Sequence, residues 1–94
     1  MPKSYEIEWR PRATKDLQRL PSRVRAQVRA KVEQYAAEPA SLANQVKRLR
    51  GDLRFRLRIG DYRVLFRIDR RAGREVTVVV MVVVRVAHRS EAYD

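Results

Sequence analysis

Cysteine is absent from the 94 residues and histidine occurs once. Without thiols there is no disulfide framework and no thiolate metal site, and a lone imidazole does not make a zinc centre. Any catalysis is therefore expected to run without a metal or cofactor. Acidic residues are also scarce, with 11 Asp and Glu against 22 Lys and Arg, a formal net charge of +11. Long apolar runs are missing: the stretch from Val76 to Val86 is shorter than a membrane span and is interrupted by Thr77 and Arg85. The opening Met-Pro-Lys-Ser-Tyr-Glu has no apolar signal core, so a cytoplasmic location with no membrane partner is expected. No repeat, linker or low-complexity segment divides the chain.

What remains fits one domain, residues 1–94. Hydrophobic residues make up 45% of the chain, enough for a single core but not for two. The positive charge is self-repulsive in so small a body and calls for an anionic partner, either nucleic acid, an acidic protein or an anionic surface.

Tyr5, Ile7 and Trp9 alternate with Glu6 and Glu8, as in a half-buried strand ended by Pro11. Ala13, Leu17 and Leu20 then recur at helical spacing with Lys15, Asp16, Gln18 and Arg19 between them, until Pro21 stops a short first helix. Ser22 is the expected N-cap of a second helix, whose stripe is Val24, Val28, Val32, Tyr35 and Ala36. From Leu53 the period becomes two. Leu53, Phe55, Leu57 and Ile59 alternate with arginines, Gly60-Asp61 suits a type II′ hairpin, and Tyr62, Val64, Phe66 and Ile68 resume the pattern. Arg70 to Arg74, with Gly73, reads as a second turn, and Val76 to Val86 as a long strand buried on both faces at the sheet centre. The expected fold is α+β, in the order β-α-α-β-β-β, an antiparallel-rich sheet on a helical hairpin.

A Gly60-Asp61 loop sets Ile59 opposite Tyr62, Arg58 opposite Arg63, Arg56 opposite Leu65 and Arg54 opposite Arg67. Five arginines then share one face, with Asp61 in the turn and Asp69 beyond the pairs. Like charges directly opposite are unfavourable, and exposed faces usually mix both signs. Solvated arginines whose stems cover apolar surface are one reading. The uniform sign favours the other, a face that binds phosphate through guanidinium forks and stabilises the extra charge of a transition state. Lys47, Arg48 and Arg50 extend this basic surface or form an ordinary solvated loop. His88 is the one side chain with an ordinary pKa near neutrality, and is either a proton shuttle or a hydrogen-bonded structural residue. Arg89 is a further candidate phosphate ligand, and Tyr93 stacks on a base, exchanges a proton or docks the tail.

Tyr5-Glu6-Ile7-Glu8-Trp9, Ala13 to Leu17 with Leu20-Pro21, Lys47-Arg48-Leu49-Arg50-Gly51, Arg56-Leu57-Arg58-Ile59-Gly60-Asp61-Tyr62-Arg63-Val64 and His88-Arg89-Ser90-Glu91-Ala92-Tyr93 together resemble the landmarks of RelE-type toxins of the RelE/ParE superfamily. The resemblance covers nearly the whole chain. It implies a microbial RNase fold, a type II toxin held by an acidic RelB-like antitoxin in a hetero-oligomer, and ribosome-dependent cleavage of mRNA in the A site. In that reaction the 2′-hydroxyl attacks the adjacent phosphate without a metal. By motif position Arg54 and Arg56 match basic residues of the second strand, Arg63 the transition-state arginine and Tyr93 the terminal tyrosine. The family's second catalytic arginine falls at Ala87, so that Arg85 or Arg89 would replace it. Expected catalytic residues are thus Arg56, Arg63, His88, Arg89 and Tyr93, with Lys47, Arg48, Arg54, Arg58, Arg67 and Arg85 contacting RNA. A ParE-like inhibitor of DNA gyrase is the alternative within the resemblance, and a non-catalytic RNA- or ribosome-binding protein the alternative outside it.

Overall fold

The structure is a computed structural model that describes residues 4–51 and 53–91. Strand β1 (Glu6–Trp9) leads into helix α1 (Pro11–Gln18) and helix α2 (Ser22–Ala37). A 3₁₀ segment (Pro39–Gln45) then precedes β2 (Val46–Arg48), β3 (Phe55–Ile59), β4 (Tyr62–Ala72) and β5 (Thr77–His88). The sheet order is β1-β5-β4-β3-β2, with β1 parallel to β5 and the other pairs antiparallel. The α+β class is as expected, with one strand more: Val46–Arg48, read as loop, pairs with β3.

The helical hairpin covers one face of the sheet. Ala13, Leu17, Val28, Val32, Tyr35 and Ala36 pack against Leu57, Ile59, Val64, Phe66, Met81, Val83 and Val86. Phe66 is the hub, stacked on Phe55 at 5.5 Å and tilted against Tyr35 at 5.3 Å. Burial raises the pKa of the Tyr35 hydroxyl, and neighbouring Tyr5 adds to the shift. Among the described residues no helix is long and apolar enough to cross a membrane.

Four local expectations need correction. Ser22 does not cap α2: it is the first helical residue, Pro21 occupies the cap position, and no side chain bonds there. Leu53 is not on the apolar face of β3. It is 74% exposed in the turn between β2 and β3, where Gly51 has a positive φ and the Leu49 N–H donates to the Arg54 carbonyl. β4 does not end before Arg70 but runs on to Ala72, because β5 pairs with it along the whole length. The second turn is therefore Gly73 to Val76, and Gly73 is needed there because a Cβ would lie 2.6 Å from the Val76 carbonyl oxygen. The long last strand lies second in the sheet, between β1 and β4, with consecutive buried residues Val80 to Val83 as expected of a strand covered on both faces.

Candidate functional site

The sheet face away from the helices carries the arginines. In the β3–β4 hairpin Ile59 pairs with Tyr62, Arg58 with Arg63, and Arg56 with Leu65, as the two-residue loop requires. Gly60 has φ +57° and Asp61 does not have a positive φ, which excludes a type I′ turn and suits type II′. β2 extends the rows: Lys47 sits opposite Arg56. Arg54 lies before β3, so its expected pairing with Arg67 is not made.

Arg58 and Arg63 line a cavity of 490 Å³ together with Gln45, Gly60, Asp61 and Arg89. Arg89 is brought in by its backbone, whose N–H donates to the Asp61 carbonyl at 2.7 Å. Its Nε is 3.5 Å from the Asp61 carboxylate, and since both side chains are about two-thirds exposed the pair neutralises little. The Nε atoms of Arg56 and Arg63 are buried with no hydrogen-bond partner among the described residues. A buried unpaired donor costs on the order of 1–3 kcal/mol, and an anion seated on this face would remove that cost.

The other end of the same face is different. Arg67 donates to Asp69 at 3.2 Å, Arg71 bridges Asp69 at 3.4 Å and Glu8 at 2.7 Å, and Glu8 also meets Arg10 at 3.4 Å. The hydrogen bond from Arg71 is the main cause of a lowered Glu8 pKa, with partial desolvation opposing it. At Asp69 desolvation pushes upward but is outweighed by Arg67 and Arg71, and the pKa is lowered. Arg67 is therefore paired rather than part of an unneutralised five-arginine face, because the longer β4 carries Asp69 onto the sheet.

Other expected site residues lie elsewhere. Arg48 points to the helix side, its guanidinium 6.0 Å from the centre of the Phe55 ring. Arg85 donates from Nε to Asp16 at 2.7 Å. Ala87, not His88, faces Arg63. His88 pairs with Tyr62, rings edge-on at 5.2 Å, and its Nδ1 lies 2.8 Å from the Ser90 hydroxyl and accepts the Ser90 N–H at 3.2 Å. Of the expected catalytic residues, the cavity thus brings together Arg63 and Arg89, Arg56 is in the adjacent row, and His88 is on the opposite face. Tyr93 lies outside the described residues.

Asp16 was missed by sequence reasoning. It is 8% exposed and accepts from Arg85 Nε, from the Val86 N–H at 3.0 Å and, at 3.5 Å, faces Arg12 Nε. The signal was present: Asp16 is three residues after Ala13 and four before Leu20, on the buried stripe of α1, where a carboxylate needs a partner.

Residues 7–93 match the family model of the ParE toxin of type II toxin-antitoxin systems, parDE. No curated protein matches the chain. Among solved structures, the toxin-antitoxin complex RelBE2 from Mycobacterium tuberculosis is similar at 29% identity and TM-score 0.71, covering 94% of each chain. The intact RelBE complex of E. coli is similar at 25% identity and TM-score 0.65, over 90% of this chain and 96% of that one. The archaeal RelE-RelB complex from Pyrococcus horikoshii OT3 shares the fold at 23% identity and TM-score 0.66, over 95% and 99%.

Proposed function

We propose that this chain, which belongs to the ParE toxin family of type II toxin-antitoxin systems within the RelE/ParE superfamily, acts by gripping the phosphodiester backbone of single-stranded RNA and cleaving mRNA on the ribosome. The observation that carries this reading is the cavity lined by Arg58, Arg63 and Arg89, with the Nε atoms of Arg56 and Arg63, unpartnered among the described residues, nearby. Guanidinium forks match phosphate oxygens, and a fixed cluster of them favours the dianionic phosphorane over the monoanionic diester. The 2′-oxygen forms its bond to the adjacent phosphorus as the bond to the 5′-oxygen breaks. The 2′-hydroxyl proton leaves to a base and the 5′-oxygen takes one up.

Arginines hold their protons and are poor bases. Among the described residues the carboxylate lining the cavity is that of Asp61, and Tyr93, which the resemblance matches to the family's terminal tyrosine, is the phenol available for proton exchange or stacking. Arg89 fills the role of the family arginine that falls at Ala87. Arg85, tied to Asp16, supports the fold instead.

The partner is an acidic antitoxin that neutralises this face, as the RelB–RelE complexes among the structural neighbours suggest. Its association should be fast and weaken with salt, so an on-rate equal at low and high ionic strength would exclude charge steering. A gyrase-directed activity is supported by the ParE family match and by His88 facing away from the arginines. Primer extension on mRNA from cells induced for this chain separates the two: discrete cleavage sites are expected, whereas intact message with inhibited DNA supercoiling would replace the ribonuclease reading by the gyrase one.

A further inference from the structure

β1 ends at Trp9, opposite Val83, so the last third of β5 has no neighbouring strand on that side. The chain turns there into α1, and the Arg10 N–H donates to the Val83 carbonyl at 3.0 Å. On the other side the pairing with β4 slips at the same level. Phe66 faces Val83 but Leu65 faces Arg85, leaving Val84 as an extra, bulged residue. A bulge inverts the alternation that follows it. Before it Val80 and Val82 share the arginine face, paired with Asp69 and Arg67; after it Ala87 does, paired with Arg63, and His88 is sent to the helix side. Without it, strict alternation from Val82 would bring Val86 opposite Arg63 and Arg85 opposite Val64.

Asp16 grips the chain immediately after this slip. One carboxylate oxygen accepts both the Val86 N–H, at 3.0 Å, and the Arg85 Nε, at 2.7 Å. Three residues further on, the Arg89 N–H reaches the Asp61 carbonyl and its side chain enters the cavity. We propose that Asp16 is a positioning residue for Arg89: anchored on α1, it locks the shifted phase of the β5 end and so delivers Arg89 to Arg58 and Arg63. In its binding arm this rests on the RNA reading above. In its backbone arm it does not.

The test is a double-mutant cycle on the full chain with Asp16→Asn and Arg89→Ala. Affinity for a single-stranded 2′-O-methyl RNA oligonucleotide, which has no hydroxyl to attack, is measured alongside amide hydrogen exchange at Val86 and Arg89. Asp16→Asn is expected to weaken binding on the order of tenfold, a coupling within the usual range for residues in one network, and to have no further effect once Arg89 is Ala. It is also expected to speed exchange at the Arg89 amide. An equal loss in both backgrounds, or unchanged binding with Arg89 still protected, overturns the proposal. If the wild-type chain does not bind the oligonucleotide, the RNA reading fails and the positioning role is decided by the Arg89 amide alone: faster exchange upholds it, unchanged protection ends it. If Asp16→Asn does not fold, Asp16→Ser, whose shorter neutral side chain cannot hold both the Val86 N–H and the Arg85 Nε, is read by the same cycle and the same criteria.

Discussion

The two ends of the outer sheet face are built from the same residue type and behave differently. Toward the β4–β5 turn, Arg10, Arg67 and Arg71 interleave with Glu8 and Asp69 over the buried Val80 and Val82. The arginines there act as a lid, their stems excluding water and their charges matched. Toward the Gly60-Asp61 turn, Lys47, Arg56, Arg58 and Arg63 have no carboxylate in their rows among the described residues, and Arg89 joins them from the end of β5. A charge matched inside the fold contributes to stability. One left unmatched raises the energy of the free protein and is available to a ligand.

Arg63→Ala tests this contrast most severely. Loss of translation inhibition by roughly a hundredfold or more is expected, the usual scale for removing a preorganised charge at a transition state, with unchanged or slightly raised thermal stability because Arg58 loses a like-charged neighbour. Full toxicity, or an unfolded variant, would remove Arg63 from the centre of the site. Next is Arg58→Ala, which should lower the slope of log affinity against log salt for single-stranded RNA by about 0.7, the share of one phosphate contact. Arg71→Ala serves as its control on the same face, and an equal slope change there would erase the distinction between the ends.

Smaller effects are expected on the matched side. Glu8 and Asp69 have lowered pKa values in the fold. Their contribution to stability is thus complete above the ordinary values of 4.5 and 3.8 and is lost as pH falls through the lower folded-state values. Arg71→Ala should flatten this acid-side decline in the melting temperature. A decline as steep as in the wild type would mean that Arg71 does not set it. Smallest of all is His88→Gln, whose side chain lies across the sheet from the cavity and should leave RNA affinity unchanged. A hundredfold drop in single-turnover cleavage at constant affinity would bring His88 into the chemistry in spite of its position.

Legibility in the sequence followed how local each cause was. The register of Arg58 with Arg63 could be read because a two-residue loop between alternating runs leaves one pairing. The α1 and α2 stripes could be read because one helix face must be buried. The pairing of Arg67 with Asp69 was not legible, because the arginines from 70 onward, with Gly73, look like a turn until β5 is there to pair with them. The expected pairing of Arg54 with Arg67 fails because Leu53 only continues the alternation in sequence, while the Leu49–Arg54 hydrogen bond closes a loop there. The resemblance led correctly to the family, and left the chemistry of the cavity to be argued from its side chains.

By itself the sequence determined the two-residue hairpin, the apolar stripes, the surplus of positive charge and the opposition of Arg58 and Arg63, all consequences of spacing along a few residues. Which face receives Ala87, His88 and Arg89 was decided only in three dimensions. That choice hangs on one bulged valine where β1 stops and on a carboxylate 70 residues away in sequence that binds the Val86 amide. Alternation has a period of two, so a single extra residue reverses everything after it, and whether that residue is accommodated depends on what packs against the open strand edge.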